Sequence, residues 1–200
     1  MRIARLQKWS AVLAVAMAAT VAYAQEPSSQ KLFESGKYAE AAGRGGSGSP
    51  EDRYLAALAH LKAGNGDAAT GEMSQLRDSG PDDAWKQIGA SGAAMLQHND
   101  GEAVEAGRRA TAAGGDNPYA HYQLGLAAAG ANDFALSAQE FERAAELKPD
   151  LAYAHYYAGQ AFHKQRNMGK AAEHYRRFLE LAPDSPDRAA IQSILRTLRG

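Results

Sequence analysis

The sequence contains no cysteine, which excludes disulfide bonds, thiolate metal sites, cysteine nucleophiles and thioether-linked haem. A chain of 200 residues without such crosslinks must be stabilised by packing alone. An excess of positive charge is also missing, since the formal net charge is -1 at pH 7. Because nucleic-acid binding requires a basic face, we expect no nucleic acid among the partners.

Catalytic signatures are missing as well. The sequence has no glycine-rich phosphate loop, no Gly-x-Ser-x-Gly elbow and no His-Glu-x-x-His pair. His155 and His163 lie two helical turns apart, about 12 Å, which is too far for both to bind one metal ion without a third element between them. We therefore expect no enzyme activity, no catalytic residue, no metal site and no cofactor.

The first 24 residues have the order of a secretory signal peptide. A basic segment with Arg2, Arg5 and Lys8 precedes an apolar run over residues 11–21. The tripeptide that ends at Ala24 then has small residues at the two positions that a signal peptidase reads. We expect cleavage after Ala24 and a bacterial protein that is exported to the periplasm or secreted.

The alternative is that this segment remains as an uncleaved membrane anchor. A helix over residues 11–24 would be about 21 Å long, which is short of a hydrocarbon core of roughly 30 Å. No other apolar run in the sequence is long enough to span a membrane. We therefore expect no stable membrane insertion after signal cleavage.

Alanine is abundant, and the prolines follow a fixed spacing. Alanine fills helix interiors at little entropic cost, so the composition favours helices. Pro149 and Pro183 are separated by one interval, and Pro81 and Pro149 are separated by twice that interval. Pro50 and Pro118 form a second series and are also two such intervals apart. A fixed period of about 34 residues indicates an internal repeat.

The period defines four units, which cover residues 50–83, 84–117, 118–151 and 152–185. Small residues occupy the eighth and twentieth positions of each unit, where two helices of one unit would approach closely. At the eighth position these are Ala57, Ser91, Gly125 and Gly159, and at the twentieth Ala69, Ala103, Ser137 and Ala171.

Together, the period, the small positions and the closing prolines resemble the tetratricopeptide repeat (TPR) family. The tryptophan typical of the fourth position in that family is absent from all four units. In the second unit, Gly107 replaces a bulky residue and Gly115 replaces the closing proline, so we expect this unit to be the weakest or to mark a bend. The resemblance implies an all-α fold, a right-handed superhelical solenoid of antiparallel helical hairpins.

Two shorter segments flank the four units. Residues 25–49 resemble a partial, degenerate repeat followed by a linker rich in glycine and serine. At the other end, Pro186 and Asp187 are a helix-start signal, and apolar residues follow at helical spacing. We expect residues 186–200 to form the capping helix that solenoids require.

In the TPR family, the first helix of each unit lines a concave groove that binds a partner. Carried onto this sequence, the resemblance implies an aromatic groove with little charge, although packing between repeats is the alternative for any single tyrosine. Lysine and asparagine are missing from the groove positions that clamp a terminal carboxylate in chaperone-binding members. The groove implied by the resemblance consists of Trp85, Tyr119, Tyr122, Tyr153, Tyr156, Gln160, His163 and Lys164.

The function that the resemblance implies is a non-catalytic scaffold that binds a protein or peptide partner in the bacterial cell envelope. One alternative is a self-associating structural component, in which the array continues between chains as a homo-oligomer. A less favoured alternative is a small-ligand binder or an enzyme, for which no motif in the sequence argues.

Overall fold

The computed structural model describes residues 26–46 and 48–198. The signal peptide predicted over residues 1–24 lies outside these ranges. Within them, all regular secondary structure is helical, and no helix is long and apolar enough to cross a membrane. The helices are α1 Ser29–Glu34, α2 Tyr38–Ala42, α3 Pro50–Lys62, α4 Gly66–Ser79, α5 Asp83–Leu96, α6 Asp100–Ala113, α7 Pro118–Gly130, α8 Phe134–Leu147, α9 Ala152–Lys164, α10 Met168–Leu181 and α11 Arg188–Thr197.

Helices α3 to α10 form four helical hairpins, and each helix packs against the next one along the chain. Among the first helices, α7 also packs against α5 and, with fewer contacts, against α9. This arrangement confirms the predicted all-α solenoid. We call the surface formed by the first helices α3, α5, α7 and α9 the inner face.

Polar residues begin several of these helices by capping their unpaired N–H groups. The Ser49 hydroxyl accepts a hydrogen bond from the Asp52 N–H, and the Asp52 carboxylate accepts one from the Ser49 N–H, which is a capping box. Asp82, Asp133 and Asn167 cap α5, α8 and α10 through their side chains. The sequence therefore determines locally where several of these helices begin.

The turn inside each hairpin has the same backbone geometry. Gly64, His98, Asn132 and Arg166 occupy the same position in successive units, and all four have a positive φ, 79° for Gly64 and 61° for the others. The N–H of the next residue returns to a carbonyl five residues earlier, as in the bond from Asn167 to Phe162, which satisfies the end of the first helix. Glycine and asparagine suit this conformation, whereas histidine and arginine do not.

Small residues allow the two helices of a hairpin to approach closely. A Cβ atom built on Gly159 would lie 2.7 Å from the Tyr175 ring. In the second unit, a Cβ on Gly107 would lie 3.0 Å from Leu124 Cδ1 of the following unit. The position that was predicted to weaken the second unit is therefore filled by Leu124 from its neighbour.

Helix α11 covers the end of the array. Ile191 and Leu195 are buried, while Ile194 and Leu198 pack against the core from its edge. Pro186 packs against Gly36 of the N-terminal segment, because a Cβ on that glycine would lie 3.0 Å from the proline ring. The turn between α1 and α2 therefore contacts the segment just before α11.

Candidate functional site

The N-terminal hairpin, α1 and α2, lies against the inner face of the array. The Ser29 hydroxyl donates to Asp52 of α3 at 2.5 Å, and Gln30 Nε2 donates to the Asp150 carbonyl just before α9 at 2.8 Å. Leu32 and Phe33 are buried in the same core as the repeats. A segment of the chain itself therefore covers the part of the inner face where the first helices begin.

Aromatic rings fill the space beneath this hairpin. The Phe33 ring centre lies 5.0 Å from that of Tyr153, and Tyr122 contacts Tyr54 edge-on at 6.3 Å. Such tilted and edge-on pairs stabilise a core by more than the burial of their apolar surface alone provides. The tyrosines of the inner face thus pack against one another and against Phe33.

Two of these tyrosines have their hydroxyl groups bound by carboxylates. Tyr119 donates to Glu51 at 2.5 Å, and Tyr153 donates to Asp187 at 2.6 Å. Burial, with the neighbouring carboxylates, raises the pKa of both tyrosines far above the usual value. Both therefore stay neutral hydrogen-bond donors, and Tyr153 connects α9 to the residue that precedes α11.

A buried polar chain fixes the first three units relative to one another. The Tyr54 hydroxyl donates to Gln123 Oε1 at 2.9 Å, Gln123 Nε2 donates to Ser91 Oγ at 3.2 Å, and Ser91 Oγ donates to the Ala103 carbonyl at 2.8 Å. Each of these polar groups has its hydrogen-bond partners, so none is left unpaired in the core. This series of hydrogen bonds therefore specifies how α3, α5, α6 and α7 pack.

The predicted aromatic groove requires correction in its central residues. Tyr119, Tyr122 and Tyr153 are at most 3% exposed, so they are core residues and present no surface to a partner. Trp85 and Tyr156 are half-buried and pack against the same core. Phe33 of the N-terminal hairpin, which the sequence pattern predicted only as a separate partial repeat, packs on Tyr153, whereas Tyr119 and Tyr122 pack against Tyr54 of the array itself.

The other three predicted residues lie together at an open cavity. Gln160, His163 and Lys164 line a cavity of about 610 Å³ between the third and fourth units. Its remaining lining comes from both units and from Ile194 of α11. These residues are Ala129, Phe134, Ser137, Phe141, Tyr157, Ala161, Arg166, Met168 and Tyr175.

The cavity has an apolar floor and a basic rim. Phe141 and Tyr157 stack with ring centres 5.4 Å apart at the floor. Lys164 and Arg166 are exposed at the rim, and Lys164 Nζ lies 5.9 Å from the centre of the Phe134 ring. No aspartate or glutamate belongs to the described lining of this cavity.

A second, smaller cavity of about 210 Å³ lies at the centre of the inner face. Its lining includes Phe33 from the N-terminal hairpin and Leu61, Met95 and Leu126 from three different units. Tyr157 lines both cavities, so the smaller space adjoins the larger one through this ring.

Several residues of the open cavity were not predicted from the sequence, and Arg166 is the clearest of them. Aligning the turn positions of the four units would have placed this bulky cation where Gly64 and Asn132 stand. The aromatic floor offered no such signal, because Phe141 and Tyr175 occupy positions that are expected to be core.

Histidine pairs form a separate feature between the helices of the last two units. His121 Nδ1 lies 2.6 Å from Glu140, and the equivalent His155 Nδ1 lies 3.1 Å from His174 Nδ1. Burial, with His174 and Arg177 nearby, lowers the pKa of His155 to about 4. In the described part of the chain, no three acidic or histidine side chains are grouped so that they could hold a metal ion.

Comparison with known proteins supports the repeat pattern predicted from the sequence. Residues 122–186 match the model of a tetratricopeptide repeat family. No curated protein matches the sequence. The structure is similar to a thermophilic TPR protein from Thermus thermophilus, with a TM-score of 0.59 and 17% identity over 86% of this chain and 99% of that one.

Two further solved structures with the same fold are described as binding peptides. The first TPR of Spaghetti (RPAP3), bound to the HSP90 peptide SRMEEVD, gives a TM-score of 0.54 and 21% identity over 58% of this chain and 90% of that one. YrrB, described as a TPR protein with an unusual peptide-binding site, gives a TM-score of 0.54 and 17% identity over 72% of this chain and 74% of that one. Residues 122–186 thus carry the tetratricopeptide repeat pattern, and the described chain has the fold of a tetratricopeptide array.

Proposed function

We propose that this protein is a non-catalytic interaction scaffold of the bacterial cell envelope, which binds a peptide or protein segment at the open part of its inner face. The TPR fold supports this proposal, because two solved arrays of the same fold are described as binding peptides. Export is part of the proposal and rests on the signal sequence over residues 1–24.

The single observation that carries the proposal is the cavity of about 610 Å³ between the third and fourth units. Binding sites are typically concave, mostly apolar, and supplied with a few polar groups that fix orientation. Here the aromatic floor provides the apolar surface, while Gln160, His163 and Lys164 provide polar groups at the edge. The N-terminal hairpin leaves this part of the inner face uncovered.

A small apolar molecule is the second candidate occupant, since the cavity volume falls in the range of about 300–1,000 Å³ that small-ligand pockets have. Native mass spectrometry of the purified protein separates the two candidates. A co-purifying small molecule at stoichiometric level would favour the second, whereas the scaffold proposal expects the mass of the protein alone.

The scaffold proposal is tested by affinity capture from envelope extract with a matched pair of variants. Gln160→Trp fills the cavity mouth, whereas Gln139→Trp makes the same change at an exposed residue of α8 outside the cavity lining. We expect Gln160→Trp to lose the captured partner by at least about tenfold and Gln139→Trp to retain it, with equal helicity by circular dichroism. Equal capture by both variants would refute the cavity as the binding site.

A further inference from the structure

We propose that the cavity between the third and fourth units recognises an acidic peptide segment, in which a bulky apolar side chain lies next to a carboxylate. This inference rests on the proposed scaffold function and names the chemistry of its partner. Its support comes from the shape of the floor, the charge of the rim, the backbone at Arg166 and the unpaired hydroxyl of Ser137.

The floor can accept one bulky apolar side chain. Phe141 and Tyr175 are at most 1% exposed, while Phe134 and Tyr157 are half-buried and border the open space. Met168, which is 39% exposed, stands at the edge. A floor of aromatic rings with a flexible methionine beside it suits an apolar anchor whose shape it can adjust to.

The rim carries positive charge that the protein itself does not neutralise. In the described part of the chain, Lys164 and Arg166 take part in no ion pair, although Lys170 and Arg177 on the next helix do. His163 adds a polar ring to the lining beside these two cations. Because this part of the rim is wholly basic, charge complementarity favours a carboxylate beside the apolar anchor.

Arg166 occupies a backbone position that does not suit arginine. Its φ of 61° lies in the left-handed region, a conformation that the equivalent residues Gly64 and Asn132 adopt at little energetic cost. The hairpin turn imposes this φ in every unit, and in the fourth unit it places the arginine side chain at the edge of the cavity. A guanidinium group can bind a carboxylate through two parallel hydrogen bonds, which a lysine in its place could not do.

Ser137 supplies an independent indication that the cavity receives a polar group. Its Oγ is buried and has no hydrogen-bond partner within the described residues, and Ser137 belongs to the cavity lining. Alanine stands at the equivalent position in the other three units. A polar group of a peptide that pushed apart the side chains over Ser137 would give this buried hydroxyl a partner.

The charge preference is tested by selection from a random nonapeptide library displayed on phage, first on the wild-type protein and then on a Lys164→Glu, Arg166→Glu double variant. We expect peptides selected on the wild type to be enriched in Asp or Glu next to Phe, Leu, Trp or Tyr. The double variant should select Lys or Arg beside the same apolar residues. Wild-type selection of basic or uncharged peptides would overturn the proposal.

The role of Arg166 is tested with a second matched pair, Arg166→Gly and His98→Gly, which remove the same backbone strain in different units. Both variants should have a raised Tm. A synthetic acidic peptide from the selection, measured by fluorescence anisotropy, should bind Arg166→Gly about fivefold to tenfold more weakly and His98→Gly as tightly as the wild type. Equal affinity for both variants would overturn the assignment of Arg166.

Failure of this inference is distinguishable from failure of the proposed function. If the selected peptides are apolar and uncharged, and Gln160→Trp abolishes their binding, the scaffold function stands and the acidic chemistry is wrong. If the library gives no peptide whose binding depends on Gln160, the acidic inference is overturned, and the capture experiment decides on the scaffold function by itself.

Discussion

Glu34 Oε1 accepts a hydrogen bond from the backbone N–H of Ala152 at 2.9 Å, across 118 residues of the sequence. Ala152 is the first residue of α9, and α9 has no side-chain cap of its own. The carboxylate also accepts a bond from Gln30 Nε2 at 3.0 Å. Glu34 therefore caps the last repeat and holds the N-terminal hairpin against the fourth unit.

Removal of this cap should destabilise the whole array. Glu34→Ala leaves the Ala152 N–H and part of the Gln30 amide buried without a partner, at a cost of about 1–3 kcal/mol. Urea unfolding followed by circular dichroism measures the loss. An unchanged midpoint would mean that the N-terminal hairpin does not dock in solution.

The stability of the Glu34→Gln variant, compared with that of the wild type, should be higher at neutral pH than at acidic pH. Burial raises the pKa of Glu34 above its usual value, and hydrogen bonds from Gln30 and Ala152 only partly oppose this. An acid whose pKa is higher in the folded state stabilises the fold below its unfolded pKa, and this contribution is lost as the pH rises through the folded pKa. Glutamine keeps the acceptor and cannot ionise, so its advantage should grow between pH 4.5 and pH 7.5 in paired urea titrations.

His155 should make the fourth unit sensitive to acid. Its pKa is lowered to about 4, mainly by burial and then by His174 and Arg177, while Glu180 opposes the shift. Because the unfolded chain binds a proton more readily, stability should fall as the pH drops from about 6.5 towards 4. Solvent screening of this half-open site limits the loss from this residue to about 1 kcal/mol.

His155→Gln provides the control for that prediction, since glutamine stands at the equivalent position, Gln87, in the second unit. The variant should lose less stability than the wild type between pH 7 and pH 5, as measured by thermal unfolding at each pH. Identical losses in the two proteins would show that folding does not lower the pKa of His155.

Ser137→Ala should stabilise the protein. The Ser137 hydroxyl is buried without a partner in the described chain, and such a group costs about 1–3 kcal/mol. In a protein of this size, each kcal/mol gained in the free energy of unfolding should raise Tm by about 2–4 °C. Scanning calorimetry measures this shift. A lowered Tm would reveal a partner for the hydroxyl in solution.

Two glycine substitutions should have opposite effects. Gly159→Ala places a Cβ 2.7 Å from the Tyr175 ring, so the helices of the fourth unit must separate, at about 1–3 kcal/mol. Gly71→Ala meets nothing within 4 Å in the middle of α4 and should stabilise that helix by up to about 1 kcal/mol. Thermal unfolding of both variants measures the contrast, and equal Tm values would contradict the close approach at Gly159.

The repeat fold was predictable because its signals are local. The spacing of prolines, the small residues such as Gly125 and the caps such as Ser49 each act within one unit of the chain. The all-α fold follows from these signals and is confirmed by the structure. Of the residues predicted to form the groove, Gln160, His163 and Lys164 line an open cavity, whereas Tyr119, Tyr122 and Tyr153 are core.

The sequence by itself determined the period, the helices and the turns, because these depend on interactions between residues less than one repeat apart. Only the tertiary structure decided which part of the inner face is open. That outcome depends on contacts such as Gln30 with Asp150 and Glu34 with Ala152, which join segments 120 and 118 residues apart. No local pattern encodes such contacts, since they form only when the stacked repeats bring the two ends of the chain together.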